Sequence, residues 1–82
     1  MPTEIKIGPG VLTDSPLGAF GVIDVDARPG LPLTVRLGVD DGEERRYTLS
    51  LGDTFPVRGE LWRLDRVEDP DGDYRVYLRK VV

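Results

Sequence analysis

Apolar and polar positions alternate along most of this chain, and the alternating runs are cut short by turn-forming residues. Leu33, Val35, Leu37 and Val39 occupy every second position, as do Tyr47, Leu49 and Leu51, and β-branched and aromatic types dominate several runs. A period of two in such residues marks strands lying half-buried against a core. Ten glycines and seven prolines interrupt the chain so often that long helices are excluded. Six strands are read, at residues 4–7, 19–27, 33–39, 43–51, 60–67 and 74–81, with a short extended piece at 54–57. The expectation is a single all-β domain over residues 1–82, an antiparallel meander of about six strands that forms a small barrel or a two-layer sandwich. The stretch 11–18 lacks periodicity, contains Asp14, Ser15, Pro16 and Gly18, and reads as the longest loop.

Side-chain parity sharpens two hairpins, because a one-residue slip moves a whole apolar set to the other face of a sheet. In the first, a two-residue turn at Asp41-Gly42 would place the two apolar sets on opposite sides. A three-residue loop, Asp40-Asp41-Gly42 with Gly42 in the left-handed region, instead pairs Val35 with Tyr47 and Leu33 with Leu49. In the second, Trp62 and Leu64 are even while Val67 is odd. One extra residue at Asp65-Arg66 restores a common face, and with a tight turn at Asp71-Gly72 it sets Val67 opposite Val76, Leu64 opposite Leu78, Glu68 opposite Arg75 and Arg66 opposite Tyr77. Tyr74, Tyr77, Leu78 and Val81 also fit a helical spacing, but terminal valines and the absence of Ala favour a strand.

Composition narrows the chemistry. The chain has no Cys, His, Asn or Gln, so neither Ser-His nor Cys-His nucleophile pairs can be built, and no disulfide or structural zinc site is available. Its two serines, Ser15 and Ser50, and two lysines, Lys6 and Lys80, form no motif. Asp24 and Asp26, about 7 Å apart as i, i+2 neighbours on one strand face, could do paired-carboxylate chemistry. A solvated or aggregation-resistant strand surface explains them as well. Asp69-Pro70-Asp71-Gly72-Asp73 resembles the opening of a calcium loop, but its glycine falls at the fourth place and Lys80 stands where a bidentate Glu is required. The same residues make a hairpin turn. No metal, cofactor or catalytic residue is therefore expected.

The formal net charge of −4 gives no general attraction to nucleic acid or an anionic membrane. Locally, the last hairpin gathers Arg63, Arg66, Arg75 and Arg79 around Tyr77, a combination that some small barrels use to hold single strands. Interspersed Glu60, Asp65, Glu68 and Asp73 favour mutual neutralisation, so no nucleic-acid partner is expected. No apolar run is long enough for a spanning helix, and the residues from Met1 to Gly10, with Glu4 and Lys6, do not form an export signal. A cytoplasmic setting without membrane contact is the expectation. Nine of the eleven basic residues are Arg, a bias that resembles coding from a GC-rich bacterial genome.

The segments Glu44-Arg45-Arg46-Tyr47-Thr48-Leu49, Leu51-Gly52-Asp53-Thr54-Phe55-Pro56-Val57 and Leu61-Trp62-Arg63-Leu64-Asp65-Arg66-Val67-Glu68, with Phe20-Gly21-Val22-Ile23 upstream, carry a resemblance. They are similar to a family of short actinobacterial proteins classed as a domain of unknown function. The resemblance covers most of the chain from about position 20. It implies an all-β fold in the bacterial cytoplasm and brings no catalytic residue, cofactor or substrate class.

Two functions remain. The first is a non-enzymatic interaction module that self-associates through a sheet edge, because short sheets leave unpaired strands and a thin core. Residues 74–82, apolar to the last position, read as the edge. The second is a small-molecule-binding accessory protein. Trp62 beside Leu64 reads as core, but sheets splayed at one end would let Trp62, Tyr47 and Phe55 line an apolar pocket gated by Arg45 or Arg46.

Overall fold

The computed structural model describes residues 4–15 and 18–81, the side chain of Ser15 excepted. These residues form eight strands: β1 (Glu4–Ile7), β2 (Leu12–Ser15), β3 (Gly18–Asp26), β4 (Thr34–Asp40), β5 (Glu44–Ser50), β6 (Thr54–Val57), β7 (Glu60–Glu68) and β8 (Arg75–Lys80). They build two four-stranded antiparallel sheets, ordered β1-β8-β7-β6 and β2-β3-β4-β5, which stack as a two-layer sandwich and do not close into a barrel. The shortest extent, 21 Å, fits two layers about 10 Å apart, each carrying an outer coat of side chains.

The strands from β2 to β8 are a meander folded in half at the β5–β6 connection. A turn makes this fold: the Asp53 N–H donates to the Ser50 carbonyl at 3.0 Å, the Ser50 N–H donates to Asp53 Oδ2 at 2.9 Å, and Gly52 supplies φ +89. Leaving that turn, the chain joins the other sheet at once: the Gly52 N–H donates to the Leu64 carbonyl and the Leu64 N–H to the Asp53 carbonyl, each at 2.9 Å. The β6–β7 hairpin turns on Arg58-Gly59, both with positive φ (47 and 79), as a two-residue turn of primed type requires. Arg58 lacks glycine's freedom there, but its guanidinium donates to the Asp41 carbonyl at 2.6 Å and ties this turn to the β4–β5 turn of the facing sheet.

Thirteen side chains fill the space between the sheets, among them Phe20, Leu37, Phe55, Trp62, Leu64 and Leu78, none more than 1% exposed. Phe20 meets Trp62 at 6.3 Å between ring centroids, and Tyr47 meets Phe55 at 5.5 Å. Each fully buried side chain of this size contributes roughly 1.5–3 kcal/mol. Their delivery to one side depends on two bulges. At Asp65 the pairing steps from Leu64↔Leu78 to Arg66↔Tyr77, so Trp62, Leu64 and Val67 all face inward, with Val67 opposite Val76 and Glu68 opposite Arg75 as the parity of this hairpin demands.

Several expectations are corrected. The second bulge lies at Ile23, where β3 was expected to alternate without interruption; Phe20, Val22 and Val25 face the core, and Ile23 stands 47% exposed. The break from even to odd apolar positions is the one that reveals the Asp65 bulge. The loop expected at 11–18 contains strand β2, paired with β3 from Leu12↔Gly21 to Ser15↔Gly18; residues 16 and 17 lie outside the described residues. The first hairpin turns at 41–43 instead of 40–42, pairing Leu37 with Tyr47 and Val35 with Leu49. Asp40 stays in the strand opposite Glu44 while its carboxylate accepts the Gly42 N–H at 3.1 Å, and parity is unchanged. The last hairpin keeps the expected register, but residues 69–74 connect it as a longer loop in place of a tight turn at Asp71-Gly72: the Gly72 N–H donates to the Asp69 carbonyl at 3.0 Å and the Tyr74 N–H to the Gly72 carbonyl at 2.8 Å.

The C-terminal strand is not an edge. β8 lies between β7 and β1, in register from Glu4↔Arg79 to Ile7↔Val76, because the N-terminal strand returns to cover it. The edges are β1 and β6 in one sheet, β2 and β5 in the other.

Removing Asp65 while keeping its neighbours tests the bulge. With the extra residue gone, Trp62 and Leu64 cannot face the core together with Val67, and losing either large side chain from a core costs about 2–5 kcal/mol against a typical total of about 5–15. Deletion of Asp65 is expected to abolish the cooperative thermal transition followed by circular dichroism. Asp65→Ala, which keeps the residue count, is expected to shift stability by about 0.5 kcal/mol or less.

Candidate interaction surfaces

With apolar residues drawn inward, chemistry is left to the two outer faces and the strand ends. On the β1-β8-β7-β6 sheet, pairing sets Glu4, Arg79, Arg63 and Thr54 in one row and Lys6, Tyr77 and Arg66 in the next, followed by Arg75 and Glu68. The arginines of the last hairpin therefore do share an exposed face with Tyr77. The Arg66 guanidinium lies over the Tyr77 ring, 3.8 Å from its centroid, and the Tyr77 hydroxyl donates to Glu68 Oε1. Glu4 reaches both Arg66 (3.7 Å) and Arg79 (3.6 Å), and Asp65 pairs with Arg66 at 3.2 Å. Arg63 stands directly opposite Arg79, a like-charge pair across strands. Among the described residues, Lys6, Arg63 and Arg75 have no carboxylate within ion-pair distance.

The outer face of the other sheet carries an apolar groove of about 400 Å³. Paired Gly21 and Gly38 make its floor, Leu12 and Ile23 make its walls, and Asp40, Glu44 and Arg46 border it. The groove exists because two facing strands lack side chains at one level: a Cβ on Gly21 would come within 3.3 Å of Leu12 Cδ1. Leu12 is 67% exposed, the most of any large apolar residue among the described residues. A second, open hollow of about 380 Å³ lies at the end of the sandwich, between Asp24–Pro29 and Pro70-Asp71. Arg28 closes on Asp26 with two bonds, 3.0 and 2.9 Å, and this hydrogen bonding holds the Asp26 carboxyl below its ordinary range. Asp24 and Asp26 face Arg36 and Thr34 across the sheet, and both line this open hollow. Among the described residues no group of three or more carboxylates is gathered in a way that could hold a metal ion.

The residues proposed for a pocket are divided by the fold. Trp62 and Phe55 are 1% exposed and belong to the core. Tyr47 is half-buried at the flank, its ring tilted against Phe55, and its hydroxyl donates to the Pro56 carbonyl at 3.4 Å, joining the β5 and β6 edges. Arg45 is exposed and held by Tyr47, with Asp41 and Glu43 nearby, all of which raise its already high pKa. Arg46 pairs loosely with Glu44 at 3.5 Å and borders the glycine-floored groove. The indole N–H of Trp62 is buried without a hydrogen-bond partner, a cost of about 1–3 kcal/mol that the burial of its ring system offsets. The glycine-floored groove escaped sequence reasoning. Its signal was two glycines inside strands, Gly21 and Gly38, a mark of bulges and close approach.

No helix occurs among the described residues, so none is long and apolar enough to cross a membrane. A family of unknown function (DUF6406) has a model that matches residues 2–82. No curated protein and no solved structure matches the chain.

Two measurements check these surfaces. Trp62 fluorescence is expected to be blue-shifted and nearly indifferent to acrylamide until the protein unfolds; a red-shifted, readily quenched signal would remove Trp62 from the core. Hydrogen bonding to Glu68, then desolvation, raises the Tyr77 pKa above its ordinary value, with Arg66 opposing. A raised pKa in the folded state stabilises the protein below the unfolded pKa, and that contribution disappears as pH rises through the folded value. An alkaline absorbance titration is therefore expected to show Tyr77 ionising late, and Glu68→Gln is expected to move that ionisation to lower pH.

Proposed function

We propose, for a chain that belongs to this family of unknown function, a non-enzymatic role as a protein interaction module that associates with itself through an open sheet edge in the cytoplasm of an actinobacterium. The observation that carries this reading is the state of the edges. Two sheets end in four edge strands, each unpaired on one side, and among the described residues no helix or third layer lies over any of them. A row of free N–H and C=O groups is a template for another strand, and a protein of this size gains core and pairing together by extending a sheet across a two-fold axis. The absence of imidazole and thiol from the chain, and the burial of Trp62 and Phe55, support a scaffold that grips a partner over one that turns over a substrate. Light scattering coupled to size exclusion is expected to give an apparent mass that climbs toward twice the chain's 9.1 kDa as concentration rises through the micromolar range. A constant 9.1 kDa to the highest concentration would overturn the reading.

The groove floored by Gly21 and Gly38 favours a second reading, a small-molecule-binding accessory role in which an apolar ligand body lies between Leu12 and Ile23 and an anionic end meets Arg46. Gly38→Val fills the floor. It is expected to abolish binding of such a ligand, measured by calorimetry, while leaving self-association intact.

A further inference from the structure

Four edges are open, but they are not equivalent. β6 carries Pro56 at its third position, which removes a donor from the middle of its edge. β5 is joined to β6 by the Tyr47 hydroxyl, and pairing it with itself about Tyr47 would set Arg45 across from Leu49 on the core side. β2 carries Asp14, and centring a symmetric pair there would set two copies of Asp14 face to face.

β1 differs. Its residues run Glu4, Ile5, Lys6, Ile7, with Ile5 and Ile7 in the core and Glu4 and Lys6 on the outer face. In an antiparallel pair of two β1 strands centred on Ile5, each Glu4 stands directly opposite the Lys6 of the other copy, and the two Ile5 side chains meet on the core side. Both charges are available. Lys6 is exposed and, among the described residues, has no carboxylate within ion-pair distance, while Glu4 holds Arg66 and Arg79 only at 3.7 and 3.6 Å. Ile5 retains 6% exposure, more than any other core residue. β1 also lies beside β2, whose exposed Leu12 occupies the same flank of the sandwich.

We infer that the partner edge is β1 of a second copy, paired antiparallel about Ile5 so that Glu4 and Lys6 complement one another across a two-fold axis and the sheet continues through eight strands. The inference rests on the self-association proposed above and adds the strand, the register and the charges that select it.

Charge exchange tests it without depending on the stability of any one variant. Glu4→Lys alone and Lys6→Glu alone each place like charges in both cross-strand positions, and each is expected to raise the dimer dissociation constant roughly tenfold or more. Mixing the two single variants restores both complementary pairs, and so does the double exchange within one chain. Sedimentation velocity is expected to show weak self-association for each single variant, recovery in the equimolar mixture, and recovery in the double variant. Circular dichroism of each variant checks that the fold persists, because Glu4→Lys also removes contacts to Arg66 and Arg79. If the unaltered protein dimerises but the mixture associates no better than its components, the β1 register falls and self-association stands. If the unaltered protein is monomeric throughout, both fall.

Discussion

The requirement that every strand deliver its apolar side chains to a single side governs this protein. A sandwich of two four-stranded sheets has one interlayer space, and each strand can point only alternate residues into it. Wherever the apolar positions change parity along a strand, the backbone must absorb one residue outside the ladder, and it does so at Ile23 and at Asp65. The two bulges are therefore part of the core's construction, although neither residue is in the core. They add twist to the long strands β3 and β7, which form the middle of their sheets.

The same requirement explains what lies outside. Once the even and odd sets are separated, charged residues have nowhere to go but the outer faces, and their positions there follow from the register of the core. Arg63 faces Arg79 because Trp62 must face Lys80 and Leu64 must face Leu78. A like-charge pair across strands costs roughly 0.2–1 kcal/mol at an exposed site, less than burying one more large side chain gains, so the core alignment wins. Glu4, Asp65 and Glu68 then moderate the basic face: one carboxylate reaches two guanidiniums, one extends from the bulge, and one accepts the Tyr77 hydroxyl. The basic face of an acidic protein is a by-product of packing before it is anything else.

Local pattern was enough where a feature is local. The bulge at Asp65, the pairing of β7 with β8 and the all-β class follow from parity within a short segment, and β5, β7 and β8 fall within a residue or so of their expected bounds. The bulge at Ile23 was equally legible, since Phe20 and Val22 are even and Val25 odd, but an unbroken strand through 19–27 hid it. β2 was not legible: Leu12-Thr13-Asp14-Ser15 has one apolar side chain, and what makes it a strand is the neighbouring β3 ladder. The position of β8 inside its sheet was beyond reach for another reason. Alternation says which side of a strand is apolar and nothing about which strand lies beside it, so the return of β1 to the far end of the chain left no local trace. Trp62 was placed correctly among core residues by its parity with Leu64; of the residues named for a pocket, Tyr47 meets Phe55 across the two sheets, while Arg45 and Arg46 stand exposed.

That return bears on how the molecule is held together. Every other pairing in the fold joins strands consecutive in sequence, whereas β1 and β8 are separated by nearly the whole chain. Closing so long a loop carries an entropic cost that grows only with the logarithm of its length, but the contact is worth nothing until the hairpins around it exist. Among the described residues β1 pairs with β8 through four positions, two of them in the core. It is at once the strand that covers β8 and the one whose ladder partner lies farthest away along the chain. A short edge strand in that position is stabilised by anything that binds its free side, since a partner that pairs only with the ordered strand shifts the balance toward the complete sheet by mass action. A partner strand at β1, as proposed above, would therefore couple association to completion of the fold.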